Sequence, residues 1–239
     1  MENNLEFKWK HLLSKMTSTI DSKIKRKLEP LVFEQKNQKE TIKTSKGVLF
    51  HFYPYNSDSI RDWGWGCAWR CIQSIINTKF QMSGADIILS FDKMFNFLGS
   101  KNVLIDLYCN LYGIKNDDLE YKTLMENEFA PHETESGWAD PWIGQMCLHY
   151  FEISSQILLI NGLPESHRNF KENFKKTKIF SSEEVILFLK EKMSFPIMID
   201  DGVYAMIVLE IAENIANDGW ELSIADPHIN EKEKKKTCF

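Results

Sequence analysis

Apolar and polar positions alternate with different periods along the chain, and each period predicts an element. Leu5, Trp9, Leu12, Leu13, Met16, Ile20, Ile24 and Leu28 form one stripe, so residues 4–29 read as an amphipathic helix that Pro30 ends. Residues 34–46 are polar and charged and read as a linker. Gly47 to Tyr53 switch to a run rich in Val, Leu, Phe and Tyr, the pattern of a strand. From Cys67 the spacing returns to a helical period through Trp69, Ile72, Ile75 and Ile76. Ser83 to Leu98 predicts a second helix, capped by Ser83 and stopped by Gly99, with Ile87, Ile88, Phe91, Met94, Phe95 and Leu98 on one face. Residues 101–135 read as mixed helix and loop with an acidic, solvated surface.

Asp140-Pro141 is a helix start, an N-cap followed by proline, and the helix should run to about Glu152. Ile157 to Ile160 is a short strand. Ser181-x-x-Glu184 is a capping box opening a helix to Lys192. The densest strand signal follows, in Pro196 to Ile199, Val203 to Ile211 and Trp220 to Ala225, with Asn217-Asp218-Gly219 as a tight turn. These runs predict an antiparallel meander packed on helices that include the one starting at Cys67. The fold class is therefore α+β. Residues 231–239 form a charged tail.

Composition narrows the function classes. The 239 residues suit one domain with a short appendage, and a net charge of −5 lacks the basic footprint of a nucleic-acid binder. Five cysteines at irregular positions, 67, 71, 109, 147 and 238, fit a reducing, cytoplasmic setting better than a disulfide framework. No C-x-x-C pair is present, so no structural metal site is expected. The first residues lack an apolar secretory core, and no apolar run has the length of a transmembrane segment.

The candidate chemistry lies in two stretches. In Asp62-Trp63-Gly64-Trp65-Gly66-Cys67-Ala68-Trp69-Arg70, the cysteine stands where the helical pattern begins. A helix N-terminus favours negative charge and hence a thiolate. The glycines allow a sharp turn and close approach of a substrate chain. Far along the chain comes Asp226-Pro227-His228. Residues i and i+2 of an extended segment face the same way, so Asp226 can orient His228 while His228 serves Cys67 as base. Other titratable groups have plainer readings. Cys147 and His149 project about 200 degrees apart on a helix and do not pair, and His51 reads as a packed strand residue.

Together the two boxes resemble the ubiquitin-fold-modifier-specific proteases, cysteine peptidases of papain-like fold. That family carries Gly-Trp-Gly-Cys and Asp-Pro-His boxes, here Gly64-Trp65-Gly66-Cys67 and Asp226-Pro227-His228. Its upstream oxyanion tyrosine is matched by Tyr55. Trp142-Ile143-Gly144 and Pro196-Ile197-Met198-Ile199 with Gly202-Val203 extend the similarity, which covers about residues 47–230. The resemblance implies a protease domain over 47–230 after an N-terminal helix and linker (1–46), with a central antiparallel sheet against the nucleophile helix. It implies catalysis by Cys67, Asp226, His228 and Tyr55, with Trp65, Trp69 and Gly66 narrowing the substrate channel and no cofactor or metal. The implied substrate is a ubiquitin-fold modifier or its conjugates, cut at the C-terminal peptide or isopeptide bond. An adaptor could dock on the N-terminal helix.

The chain departs from the family at Trp69, commonly tyrosine, and at Met206, often histidine. It also ends eleven residues after His228, where relatives usually continue through a further segment; the difference either leaves the sheet edge bare or reflects an incomplete gene model. Autophagy-related modifier proteases also carry both boxes, and Arg70-Cys71-x-Gln73 is similar to their version. The same residues are compatible with a deubiquitinase of similar fold and with an inactive modifier-binding homologue.

Overall fold

The structure, a computed structural model, describes residues 39–44, 47–58, 60–82, 88–119, 121–122, 137–139, 141–151, 153–160, 179–192, 196–201, 203–214 and 219–228. The amphipathic stripe of residues 4–29 and the charged tail lie outside them. The described chain is α+β, with five helices and two small antiparallel sheets. In chain order it runs β1 (Glu40–Lys43), β2 (Leu49–Phe52), α1 (Cys67–Met82), α2 (Phe91–Leu98), α3 (Lys101–Tyr112) and α4 (Pro141–Tyr150). It continues through β3 (Leu159–Ile160), β4 (Ile179–Phe180), α5 (Ser182–Lys192), β5 (Ile197–Asp200), β6 (Ala205–Asn214) and β7 (Gly219–Ala225).

Helix α1 is the centre. It packs against β2, α2, α4, β5 and β6, and every residue from Cys67 to Thr78 is buried. A helix buried on all sides is normally apolar throughout, yet Arg70, Gln73, Ser74, Asn77 and Thr78 are polar. Their partners remove the desolvation penalty. Ser74 Oγ accepts from Tyr53 N–H at 3.0 Å, and Thr78 Oγ1 accepts from His51 N–H at 2.9 Å. Strand β2 and its extension are thus fastened lengthwise to α1 by side chains.

The antiparallel meander expected from residue 196 onward is present, in order β5–β6–β7. Ile197 pairs with Val208 and Asp200 with Ala205, while Ile207 pairs with Ala225. This register brings the end of β5, the start of β6 and the end of β7 to one edge of the sheet. The capping box is also realised. Glu184 N–H donates to Ser181 Oγ at 3.2 Å and Ser181 N–H to Glu184 Oε2 at 2.9 Å. Strand β3 pairs in parallel with β4.

Two expectations change. The helix predicted from Ser83 begins at Phe91, capped by Ser90. Leu89 just before it is held out of helical geometry, its N–H donating to Asn77 Oδ1 at 2.7 Å and its carbonyl accepting from Asn77 Nδ2. Within the predicted linker, Glu40–Lys43 forms β1 and pairs with β2. Only Ile42 is apolar there, so no alternation marked the strand.

Candidate active site

Cys67 opens α1, where first-turn N–H groups lack helical partners. The loop before it is fixed by a buried ionic network. Arg70 Nε donates to Asp62 Oδ2 at 2.5 Å, and its Nη1 donates to Asp58 Oδ1 at 2.8 Å and Ser57 Oγ at 2.9 Å. Asp62 Oδ1 accepts from Asn56 N–H at 2.8 Å, and Asp58 Oδ2 accepts from Phe91 N–H at 2.8 Å. Gln73 bridges Arg70 and Asp58. Arg70, one turn into α1, therefore clamps residues 56–62 onto the helix that starts at Cys67. Gly64 adopts φ +85, the left-handed region that favours glycine. Gly66 is required for a different reason. A Cβ there would stand 2.6 Å from Asp62 Cβ and 2.7 Å from Asp62 Oδ2.

Asp226 and His228 leave the end of β7 as an ordered pair. Asp226 Oδ1 lies 2.6 Å from His228 Nδ1 and accepts from His228 N–H at 2.9 Å. This is the orientation that leaves Nε2 for a proton acceptor role. Tyr55 joins the two halves. Its ring stands edge-on to His228 with centroids 5.1 Å apart. Its hydroxyl lies against the Cys67 sulfur without a hydrogen bond of regular geometry, and it is buried with no other partner. Burial, then the neighbouring Cys67, pushes the Tyr55 pKa far above its ordinary 10, so the phenol keeps its proton. Beneath them Cys71 is fully buried. Its thiol is pushed well up by burial first, then by Cys67, Asp226 and Asp200, which puts the base of the strand end and the helix start in one electrostatic neighbourhood.

The three residues expected to narrow a channel, Trp65, Trp69 and Gly66, differ in their surroundings. Trp69 is fully buried, its indole N–H donating to Gly137 carbonyl at 3.0 Å and its ring packed on Phe95. It presents no surface to solvent. Trp65 is half-buried against Phe91 and Phe95. Gly66 faces Asp62 and makes room for that carboxylate. Two residues outside the expected set border the site instead. Trp63 is 58% exposed with its ring 5.1 Å from Tyr55, and Tyr204 is 51% exposed with its ring 5.0 Å from His228. Trp63 sits inside the cysteine box, so its place in the sequence does signal it. Tyr204 reaches His228 only through the β5–β6–β7 register, which no local pattern encodes.

Met206 pairs with Ile199 in the sheet. No group of three metal-ligating side chains forms among the described residues, and no helix among them is long and apolar enough to cross a membrane. The chain matches no protein-family model and no curated protein.

Proposed function

We propose that this chain is a thiol protease of papain-like architecture that cleaves the C-terminal peptide or isopeptide bond of a ubiquitin-fold modifier. The observation that best supports it is Tyr55, a buried phenol whose hydroxyl acts on Cys67 and has no other partner, its ring edge-on to His228. Buried polar atoms are almost always paired; a hydroxyl with no partner but a thiol at a helix N-terminus suits a developing oxyanion.

His228 accepts the proton of the Cys67 thiol, and the sulfur attacks the carbonyl carbon of the modifier's last residue. The Cys67 N–H and the Tyr55 hydroxyl donate to the oxyanion as it forms. Collapse breaks the C–N bond, and His228 returns its proton to the departing amine. Water, deprotonated by His228, then attacks the thioester carbon and releases the carboxylate, and the thiol is restored. Asp226 holds the imidazole in its tautomer throughout. None of the four cysteines among the described residues is in a disulfide, which suits a reducing compartment.

The test is cleavage of C-terminally extended ubiquitin-fold modifier, autophagy modifier and ubiquitin by the intact chain, Cys67→Ala and His228→Ala. Cleavage of the first alone, lost in both variants, is expected. Cleavage of a different modifier would keep the mechanism and reassign the substrate. A folded chain that cuts none would sink the protease reading in favour of a modifier-binding homologue.

A further inference from the structure

Asp62 grips the chain on both sides of Cys67. Its carbonyl accepts from Trp65 N–H at 3.2 Å and from Gly66 N–H at 2.8 Å, just before the cysteine. Its Oδ2 accepts from Arg70 Nε at 2.5 Å, one turn after it. The other carboxylate oxygen reaches a different segment, Oδ1 accepting from Asn56 N–H at 2.8 Å. Asn56 follows Tyr55, and the two are the central residues of a tight turn closed by Ser57 N–H on the Pro54 carbonyl at 3.3 Å. Asn56 has φ +59, in the left-handed region. Asparagine tolerates that backbone in a turn, and it persists where the surroundings hold it.

The Asp62 side chain is fully buried, and hydrogen bonds to a carboxylate away from water are short and strong. One carboxylate therefore joins the turn that carries Tyr55 to the helix start that carries Cys67. Tyr55 needs such a support. Its buried hydroxyl has no partner besides Cys67 to fix it, so the backbone of its turn sets where that hydroxyl stands.

We propose that Asp62 is a positioning residue of the site. By holding the Tyr55 turn and the Cys67 helix start on its two carboxylate oxygens, it sets the placement of the Tyr55 hydroxyl relative to the Cys67 N–H. That these two donors receive an oxyanion rests on the protease reading. Asp62 acts through Tyr55, so its effect belongs to turnover and vanishes once the Tyr55 hydroxyl is gone.

A double-mutant cycle of Asp62→Asn and Tyr55→Phe on the full chain tests this. Asparagine keeps the shape, but its single oxygen cannot serve both Asn56 N–H and Arg70 Nε. With C-terminally extended ubiquitin-fold modifier as substrate, Asp62→Asn should lower kcat by about 10- to 100-fold, the size of effect a misplacement near 1 Å produces. KM should move less. In the Tyr55→Phe background the same substitution should lower kcat by less than about three-fold, because its effect is already spent. A purely structural role would lower kcat by the same factor in both backgrounds. Circular dichroism melting checks the fold. Should Asp62→Asn fail to fold, Arg70→Lys, which keeps the charge and gives up the forked geometry, takes its place in the cycle with the same expectations.

Affinity for the aldehyde N-acetyl-glycyl-glycinal supplies a readout without turnover. The Cys67 sulfur adds to the aldehyde carbon, and the thiol proton passes to the aldehyde oxygen, which stands where the oxyanion would. Asp62→Asn should weaken this adduct only while Tyr55 is present. Equal factors in both backgrounds, unchanged kcat and aldehyde affinity in a folded variant, or no adduct with the folded parent would overturn the proposal. A chain that cuts modifiers with equal factors keeps the protease and loses the positioning role. One that cuts none, yet shows the Tyr55-dependent loss of aldehyde affinity, does the reverse.

Discussion

At the scale of single residues, the site depends on groups whose chemistry lies behind it. Asp62 serves Arg70, the Asn56 N–H and the space left by Gly66 at once. Removing one partner of a buried ion pair leaves the other uncompensated, at a cost of about 3–5 kcal/mol. Asp62→Ala should therefore lower stability by that order in denaturant unfolding. Gly66→Ala should cost about 1–3 kcal/mol by forcing Asp62 aside, and should impair cleavage even where the chain stays folded. On the proposed mechanism, Tyr55→Phe removes one oxyanion donor and should reduce kcat by about 10²–10³-fold. His51 gives a pH signature. Burial, then Lys39, lowers its pKa below the ordinary 6.5, so the unfolded chain takes up the proton first as the pH falls. Its contribution to stability is whole above pH 6.5 and is lost as pH falls below that toward the folded-state value. The slope cannot exceed about 1.4 kcal/mol per pH unit for one proton. Melting temperatures from pH 7 to 5 should fall less steeply in His51→Phe than in the parent; equal slopes would show that His51 does not carry the effect.

Among the elements, local chemistry was legible where the signal was contained in a few adjacent residues. The capping box at Ser181 and Glu184 formed as its spacing implied, and Ser181→Ala should cost about 1 kcal/mol, measured by unfolding. The proline-led start of α4 and the strand leading to Tyr55 were likewise readable. Helix α2 was not. Its apolar face continues back to Ile87 and Ile88 in the sequence, but Leu89 gives both its backbone groups to Asn77, twelve positions earlier, and a helix cannot pass through a residue so engaged. Strand β1 escaped for the opposite reason, since pairing with β2 supplies order that its own polar sequence does not.

For the molecule as a whole, α1 is both the core and the support of the site. Ile72 and Ile76 are 1% and 0% exposed, and replacing either by alanine should destabilise by about 2–5 kcal/mol. Cys71 and Cys147 are fully buried, and burial raises both thiols. In the native protein Cys67, at the rim of the core, should react with thiol reagents well before either. Cys71 and Cys147 should label only at the rate of unfolding, which mass spectrometry of labelled peptides can follow. Fast native labelling of Cys71 would show that the helix start opens locally.

What the sequence determined by itself was the chemistry in short range: a cysteine where a helical period begins, and a histidine two residues beyond an aspartate at a strand end. Backbone geometry alone brings those groups into usable positions. Tertiary structure decided the rest. Trp69 and Trp65 look alike in the sequence as members of one aromatic box. The packing of α2 and Gly137 buries the first completely and leaves the second half covered. Tyr204 reaches His228 because β5, β6 and β7 pair in one particular register, and Tyr55 meets Cys67 because Ser74 and Thr78 fasten its strand along α1. Contacts between residues distant in the chain depend on which surfaces pack together, and that is set by the summed burial of the whole core rather than by any local run.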